Sequence, residues 1–225
     1  MSDEDVGFVL SVVPYREHDA MLEFIGEKYG LLRFVLRGYY RPNSKQNRLG
    51  NEFTKVRLRF KYYENRLLTI QNGELIESYA KDRHDFDWLM LMSLMTELIV
   101  RLYDPRQKQF WNQKINQLYN NPFMVTLTLI LRDIIVISGI EPVLDRCVIT
   151  GSSQVSDFSI KHGGFVSKAY RVSKLNLDDL KSLYGIFKGQ DKYTANPLTI
   201  ANILINYIEF HMDLKLNSWK LIYNV

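Results

Sequence analysis

Between Phe53 and Lys61 the side chains alternate without a break. Val56, Leu58 and Phe60 fall on one side, and Lys55, Arg57, Arg59 and Lys61 on the other, because successive strand residues face opposite ways. Such a pattern is a half-buried β-strand, and it commits the N-terminal third to a sheet with one face on a core. The neighbouring segments agree. Residues 6–13, VGFVLSVV, form a β-rich run that stops at Pro14, and a polar turn, Tyr15–Asp19, follows. Residues 20–28 (AMLEFIGEK) and 31–37 (LLRFVLR) read as second and third strands, the latter ending at Gly38. Residues 38–52 carry Gly, Pro, Asn and Ser without periodicity and read as a long loop. Residues 66–78 supply a fifth strand, with a bulge expected at Asn72-Gly73. Five short strands within the first 80 residues predict a small barrel. The five-stranded oligonucleotide-binding (OB) barrel is the natural candidate, since it carries single strands across an open face. An SH3-type barrel shares the pattern.

The same region concentrates charge. From Leu31 to Lys61 there are nine Lys or Arg and one acid, Glu52, a formal charge of +8 in a chain whose total is +4. The cations are Arg33, Arg37, Arg41, Lys45, Arg48, Lys55, Arg57, Arg59 and Lys61. Gathered positive charge raises the local potential and attracts polyanions, nucleic acid first among them. On the outward side of the Phe53–Lys61 strand no acid interrupts four like charges, and an anion would relieve their repulsion. The basic loop beside it, with Arg37, Arg41, Lys45 and Arg48, is suited to close over a phosphate backbone. Tyr39 and Tyr40 offer rings on which an unpaired base can stack, and Tyr62 and Tyr63 at the next turn are weaker candidates for that role. No residue pattern codes for base edges, so binding through this surface would be sequence-independent and salt-sensitive.

The pattern changes near Tyr79. A helix is expected from Asp82 or His84 to Tyr103, stopped by Asp104-Pro105, with further helices over 107–119, 122–138, 176–187 and 197–216. Pro122 suits a first helical turn and Gly139 a C-terminal cap. Residues 143–172 lose helical period and read as a small β insertion. The expected organisation is α+β: an OB domain over 1–80 and a mainly helical domain over 81–225 that holds the insertion. A single cysteine, Cys147, rules out an internal disulfide framework and suits a reducing cytoplasm. The acidic start, MSDEDV, is unlike a signal peptide, and the most apolar segment, Phe123–Ile140, is broken by Arg132 and Asp133 and reads as a core helix. Neither GxGxxG nor GxxxxGK[ST] is present. The histidines (18, 84, 162, 211) have no metal-ligand spacing, and the Arg16–Asp19 cluster reads as a structural turn.

An ordered set of short matches resembles the bacterial RecO DNA-repair proteins. They are Val9–Asp19, Gly30-Leu31-Leu32, Gly38, Asn72–Leu75, Leu131-Arg132, Ser138–Pro142, Leu144–Gly151, Gly163-Gly164-Phe165 and Tyr207–His211. The resemblance implies an OB barrel, a helical domain and a zinc-ribbon-like element, with no enzymatic turnover and no cofactor besides zinc. It implies binding of single- and double-stranded DNA, annealing, and cooperation with RecR to load RecA. It also implies contact with the C-terminal tail of the single-strand-binding protein, and a cytoplasmic, nucleoid-associated place in a bacterium, with no membrane contact. For the tail, an apolar pocket rimmed by Arg101 and Arg132 near the Met90, Met92, Met95 stripe is the candidate. Many members carry two Cys-x-x-Cys pairs in the insertion. The matching positions here are Cys147, Thr150, Ser167 and Tyr170, one thiolate where structural zinc wants four N or S ligands. No zinc is therefore expected, and packing of Val148, Phe158, Phe165 and Val166 would hold the insertion.

The leading function is thus a non-enzymatic, DNA-binding recombination mediator. A protein–protein scaffold whose basic face docks acidic partners is the alternative. A nuclease would need a carboxylate cluster, and Asp82, Asp85 and Asp87 instead suit a helix start.

Overall fold

The computed structural model describes residues 2–44, 46–64, 66–78, 86–121, 123–173 and 175–223. Lys45, Pro122, Asp82, His84 and Asp85 lie outside them, so what the sequence led us to expect there stands as expectation. Two compact units divide the chain, Met1–Asn120 and Asn121–Val225.

The first unit is built on five strands: β1 (Asp3–Tyr15), β2 (Asp19–Gly26), β3 (Gly30–Leu36), β4 (Lys55–Phe60) and β5 (Leu68–Glu77). They close into a barrel in the order β1-β2-β3-β5-β4, which with the helices that follow is the OB-plus-helical architecture expected from sequence. Long β1 makes closure possible. Its first half pairs with β4 (Asp3 opposite Phe60) and its second with β2 (Tyr15 opposite Asp19), with a bulge at Leu10 that turns the strand from one neighbour to the other. Val56, Leu58 and Phe60 point inward and are fully buried, as the alternation requires. They meet Val9, Leu22, Phe24, Phe34, Leu36, Leu68 and Ile70 in one core. The bulges of β5 fall at Gln71 and Ile76, since Asn72 faces Arg59, Gly73 faces Leu58 and Leu75 faces Val56. Asn72-Gly73 therefore sits in register. Gly73 makes room for a neighbour: a Cβ there would lie 2.6 Å from the Leu49 side chain, which would have to shift. Leu49 ends a single 3-10 turn, Asn47–Leu49, inside the segment read as plain loop, and it is buried in the barrel core.

Helices α1 (Phe86–Leu102) and α2 (Lys108–Asn120) fall in the same compact unit as the barrel. Trp88 meets Phe53 edge-on at 5.6 Å, and Tyr119 lies 4.9 Å from Phe8. Asn112, nearly buried, donates to the Gly26 carbonyl at 2.7 Å. Gly30, at φ +75°, leaves the space that the Tyr103 hydroxyl fills, and any Cβ would collide with it. Met92 and Met95 are fully buried and Met90 nearly so, which makes that stripe core.

The second unit packs α3 (Met124–Ile137) on α5 (Pro197–His211), with α4 (Leu177–Phe187) against both. Gly139 follows α3 at φ +68°. The Ile140 and Gly139 amides donate to the Ile135 and Val136 carbonyls, a Schellman cap of the kind the sequence announced. A hairpin of β6 (Asp157–Ser159) and β7 (Gly164–Val166) forms the insertion. Helix α5 ends at His211, five residues before the expected stop, because Asp213 takes a left-handed backbone (φ +50°). The Glu209 carboxylate then accepts the Leu216 amide at 2.7 Å, and a short helix α6 (Asn217–Tyr223) follows, which the sequence pattern does not announce. Among the described residues no helix is long and apolar enough to cross a membrane.

Candidate nucleic-acid interface

Register decides what the basic strand can do. On β4 itself no acid separates the cations, but the neighbouring strands supply them. Glu4 on β1 stands directly opposite Arg59, and Glu74 on β5 directly opposite Arg57. Glu4 lies 2.6 Å from the Arg59 Nε and 3.5 Å from the Arg57 Nε, and Glu74 lies 2.9 Å from Arg57 Nη1. Lys55 lies 3.5 Å from Glu27, and Arg33 on β3 lies 3.0 Å from Glu23. The expectation of an uninterrupted cationic face is therefore corrected: signs alternate across strands rather than along one. The hydrogen bond from Arg59 holds the Glu4 carboxyl below its ordinary range.

Arg37, Arg41 and Arg48 are exposed and make no ion pair within 4.0 Å among the described residues. They sit on the β3–β4 connection, which is tied down by Leu49 and by the Tyr39 hydroxyl donating to the Gly50 carbonyl at 3.0 Å. Arg48 reaches the surface of β4. With Arg57, Arg59, Asn72, Gly73, Glu74 and Leu75 it lines a shallow cleft of about 460 Å³.

A second, aromatic cleft of about 600 Å³ opens over Met21 of β2, Leu31–Arg33 of β3 and the β4–β5 turn. In a closed ring ordered β1-β2-β3-β5-β4, the β2–β3 seam lies across the barrel from β4. Tyr62 stacks on Tyr29 (centroids 4.6 Å, 29° between planes), and Asp3 fixes the pair by accepting from the Tyr29 hydroxyl and the Tyr62 amide. Tyr63 is 45% exposed, with Lys61 and Arg66 over its ring at 5.3 and 5.8 Å. Tyr103 completes the lining. Sequence reasoning ranks Tyr62 and Tyr63 behind Tyr39 and Tyr40, and it misses Tyr29, Tyr103 and Arg66. A turn joining the fourth and fifth strands of an OB barrel was the available signal, because that loop flanks the ligand face. Tyr39 is half-buried and engaged with Gly50, and burial pushes its phenol up. Tyr40 is 47% exposed and edge-on to Tyr39.

Positions 147, 150, 167 and 170 do not fit zinc: Cys147 is joined by Thr150, Ser167 and Tyr170, and among the described residues no three His, Cys, Asp or Glu come together as a metal site. The fold of the turn nevertheless centres on the sulfur. The Ser167 amide donates to Sγ at 3.3 Å, and the Cys147 amide and carbonyl bond to Ser152 and Gly151. Burial acts to raise the thiol, but the Thr150 hydroxyl and the amides of Thr150, Ile149 and Ser167 outweigh it and bring it down to about 6. The thiol is thus acidified by hydrogen bonds, from one hydroxyl and three amides, rather than by a charged neighbour. A lowered acid stabilises the fold fully above its ordinary value of 9.0 and loses that contribution as pH falls to about 6. Thermal stability is accordingly expected to climb between pH 6 and 9, and Cys147→Ser to flatten the climb. Identical melting profiles for the two proteins would reject the ionised thiol.

Asp157 is the insertion's other anchor, and nothing in the sequence singles it out. Fully buried, it accepts from the amides of Phe158, Val172 and Ser173 and from the Ser173 hydroxyl. Phe158, Phe165 and Val166 pack as expected, Phe158 reaching Tyr207 of α5 at 5.8 Å, while Val148 is only half-buried.

Arg101 and Arg132 fall in different units. Arg101 on α1 pairs with Glu97 at 3.1 Å. Arg132 on α3 donates to the Ile186 carbonyl at 2.8 Å and lies 2.5 Å from Asp133. The second unit carries its own apolar groove, of about 470 Å³, lined by Leu144, Phe165, Leu177, Leu180, Tyr184 and Lys181 among others. Around residues 16–19 no acid–base site forms. Asp19 accepts the Gly38 amide at 2.7 Å, and His18 is exposed beside Glu17 at 3.8 Å.

Residues 1–79 match the family described as Recombination protein O N terminal. The DNA repair protein RecO of Halalkalibacterium halodurans is 28% identical over 169 residues, covering 72% of this chain and 66% of that protein. Its counterpart in Oceanobacillus iheyensis is 27% identical, covering 71% and 64%, and that of Exiguobacterium sibiricum 28%, covering 76% and 71%. The match thus spans about two thirds of the length of these relatives.

Proposed function

Because the chain belongs to the RecO family, we propose that it is a non-enzymatic DNA-repair protein that binds single- and double-stranded DNA through its barrel. The observation that carries this reading is the joining of Arg48 from the loop to Arg57 and Arg59 of β4 in one open cleft, with Arg37 and Arg41 exposed on the same connection. Guanidinium groups at such a surface take phosphates in bidentate fashion, a mode that carries no sequence information. The tyrosines of the opposite cleft, Tyr62 and Tyr63, supply the sequence-tolerant stacking that single strands use. Annealing follows from a surface that neutralises the repulsion between two strands and leaves their pairing edges free. Action with RecR and RecA on gapped DNA belongs to the same reading. The tail of the single-strand-binding protein, acidic and apolar by chemistry, fits the groove beside Lys181 better than Arg101, whose guanidinium already serves Glu97.

The test is affinity for a single-stranded oligonucleotide across salt concentrations. Wild-type affinity is expected to fall steeply with salt. Arg57→Glu/Arg59→Glu is expected to weaken binding and to lower the slope of log K against log salt by about 0.7 for each phosphate the variant no longer neutralises. Unchanged affinity of the variant at moderate salt would remove β4 from the interface.

A further inference from the structure

The ion pairs on β4 have a consequence for binding that the cations alone do not. Arg57 and Arg59 are each in contact with a carboxylate in the free protein. Glu4 bridges both arginines, at 3.5 and 2.6 Å, and Glu74 takes Arg57 from the other side at 2.9 Å. These contacts are set by the sheet. Glu4 and Arg59 are cross-strand partners, as are Glu74 and Arg57, so their Cβ atoms are held within one strand spacing whatever the side chains do. The acids flank the basic residues from both neighbouring strands, and Arg48 enters from the loop side.

We propose that Glu4 and Glu74 are built-in competitors of phosphate, which occupy the guanidinium groups of Arg57 and Arg59 and thereby set how tightly the β4 face holds DNA. The proposal rests on the reading of this face as a DNA surface and deepens it. Three observations support it. First, the four side chains are 40–66% exposed, so each pair is open to exchange with an incoming anion and contributes little to holding the fold. Second, a carboxylate and a phosphate present the same pair of oxygens to a guanidinium, so one substitutes for the other without rearrangement of the arginine. Third, Glu4 stands where one carboxylate serves two arginines, which lowers the net charge of the cleft without removing either donor. Such a surface binds weakly enough to release a strand yet keeps its full set of donors for the bound state. A mediator that must hand DNA on needs both properties.

The arrangement makes an unusual prediction: removing acids tightens binding beyond the effect of net charge alone. Glu4→Gln/Glu74→Gln keeps the shape of both side chains. Its affinity for a single-stranded oligonucleotide is expected to rise several-fold at low salt. The slope of log K against log salt is expected to steepen by about 0.7 to 1.4, the value for one or two further phosphates neutralised. Glu74→Gln alone, at a side chain 66% exposed, gives the smaller part of that change without touching β1, so the test stands even if the double variant is unstable. Glu141→Gln, at an exposed acid of the second unit outside both clefts, is the control for general charge. Equal gains from Glu141→Gln and Glu74→Gln, or no gain and no change of slope in either Glu74→Gln or the double variant while wild type binds DNA, would overturn the competitor role and leave the DNA reading standing. Failure of every protein to bind DNA at low salt would overturn both.

Discussion

Asp157→Ala is expected to destabilise the second unit by about 3 kcal/mol or more, since bonds to a charged acceptor are worth about 1.5–3 kcal/mol each and several buried donors would be orphaned together. The carboxylate ties the start of β6 to residues 172–173, which lead into α4. A domain of this size has about 5–15 kcal/mol in total, so the loss is a large share of what keeps it folded. Denaturant titration of the full chain checks it, with a transition for Asn121–Val225 displaced to lower denaturant. The pH dependence has a fixed sign. Burial alone would raise the Asp157 carboxyl, but the Ser173 hydroxyl and the amides of Ser173, Val172 and Phe158 more than offset it and hold the group below 3.8. A lowered carboxyl contributes fully above its unfolded value and loses that contribution as pH falls toward the folded one. Acid unfolding of wild type should therefore set in below about pH 4, and Asp157→Ala should lack that part of the transition. A variant as stable as wild type at pH 7 would show that the hairpin is held by packing alone.

The second large effect concerns bases rather than phosphates. Tyr62→Ala/Tyr63→Ala is expected to reduce affinity for single-stranded DNA tenfold or more, because each base stacked on an aromatic ring is worth about 1–3 kcal/mol. Stacking releases no counterions, so the salt slope should stay at the wild-type value. That combination separates the aromatic cleft from the arginine cleft, where affinity and slope change together. A circular-dichroism melt controls for Tyr62, whose ring also covers Tyr29. Wild-type affinity in the double variant would leave the aromatic cleft without a role in holding single strands.

Legibility in the sequence tracked how local the cause was. The alternation of β4 is a property of neighbouring residues, and Val56, Leu58 and Phe60 lie where it put them. Gly139 announced its cap because the left-handed residue after a helix is usually glycine. The partners of Arg57 and Arg59 were not legible. Glu4 meets Arg59 across a register that joins residues 55 apart, and nothing near either residue names the other. Leu49 is a lone apolar residue in a polar segment, and only the opening it fills between the strands gives it a place. Residues 81–120 carry a helical pattern, but the aromatic contacts that bind α1 and α2 to the barrel, Trp88 on Phe53 and Tyr119 on Phe8, come from tertiary packing. Asp157 looked like any acid in a turn-rich stretch, for its donors arrive 15 and 16 residues later.

Closure of the barrel has a consequence for how such proteins can diverge. Strands β3 and β5 join in parallel through just two pairs, Phe34 with Leu68 and Val35 with Thr69. Everything from Arg37 to Thr54 is an excursion between ladder strands, and the barrel interior borrows little from it besides Leu49. The cost of lengthening a connection rises only with the logarithm of its length, about 0.6 kcal/mol per doubling. The stretch between Arg41 and Asn47 can thus grow or shrink while Leu49 stays seated. Descendants of this chain can retune the reach of their cations residue by residue, with the fold as a fixed chassis and the loop as its adjustable arm.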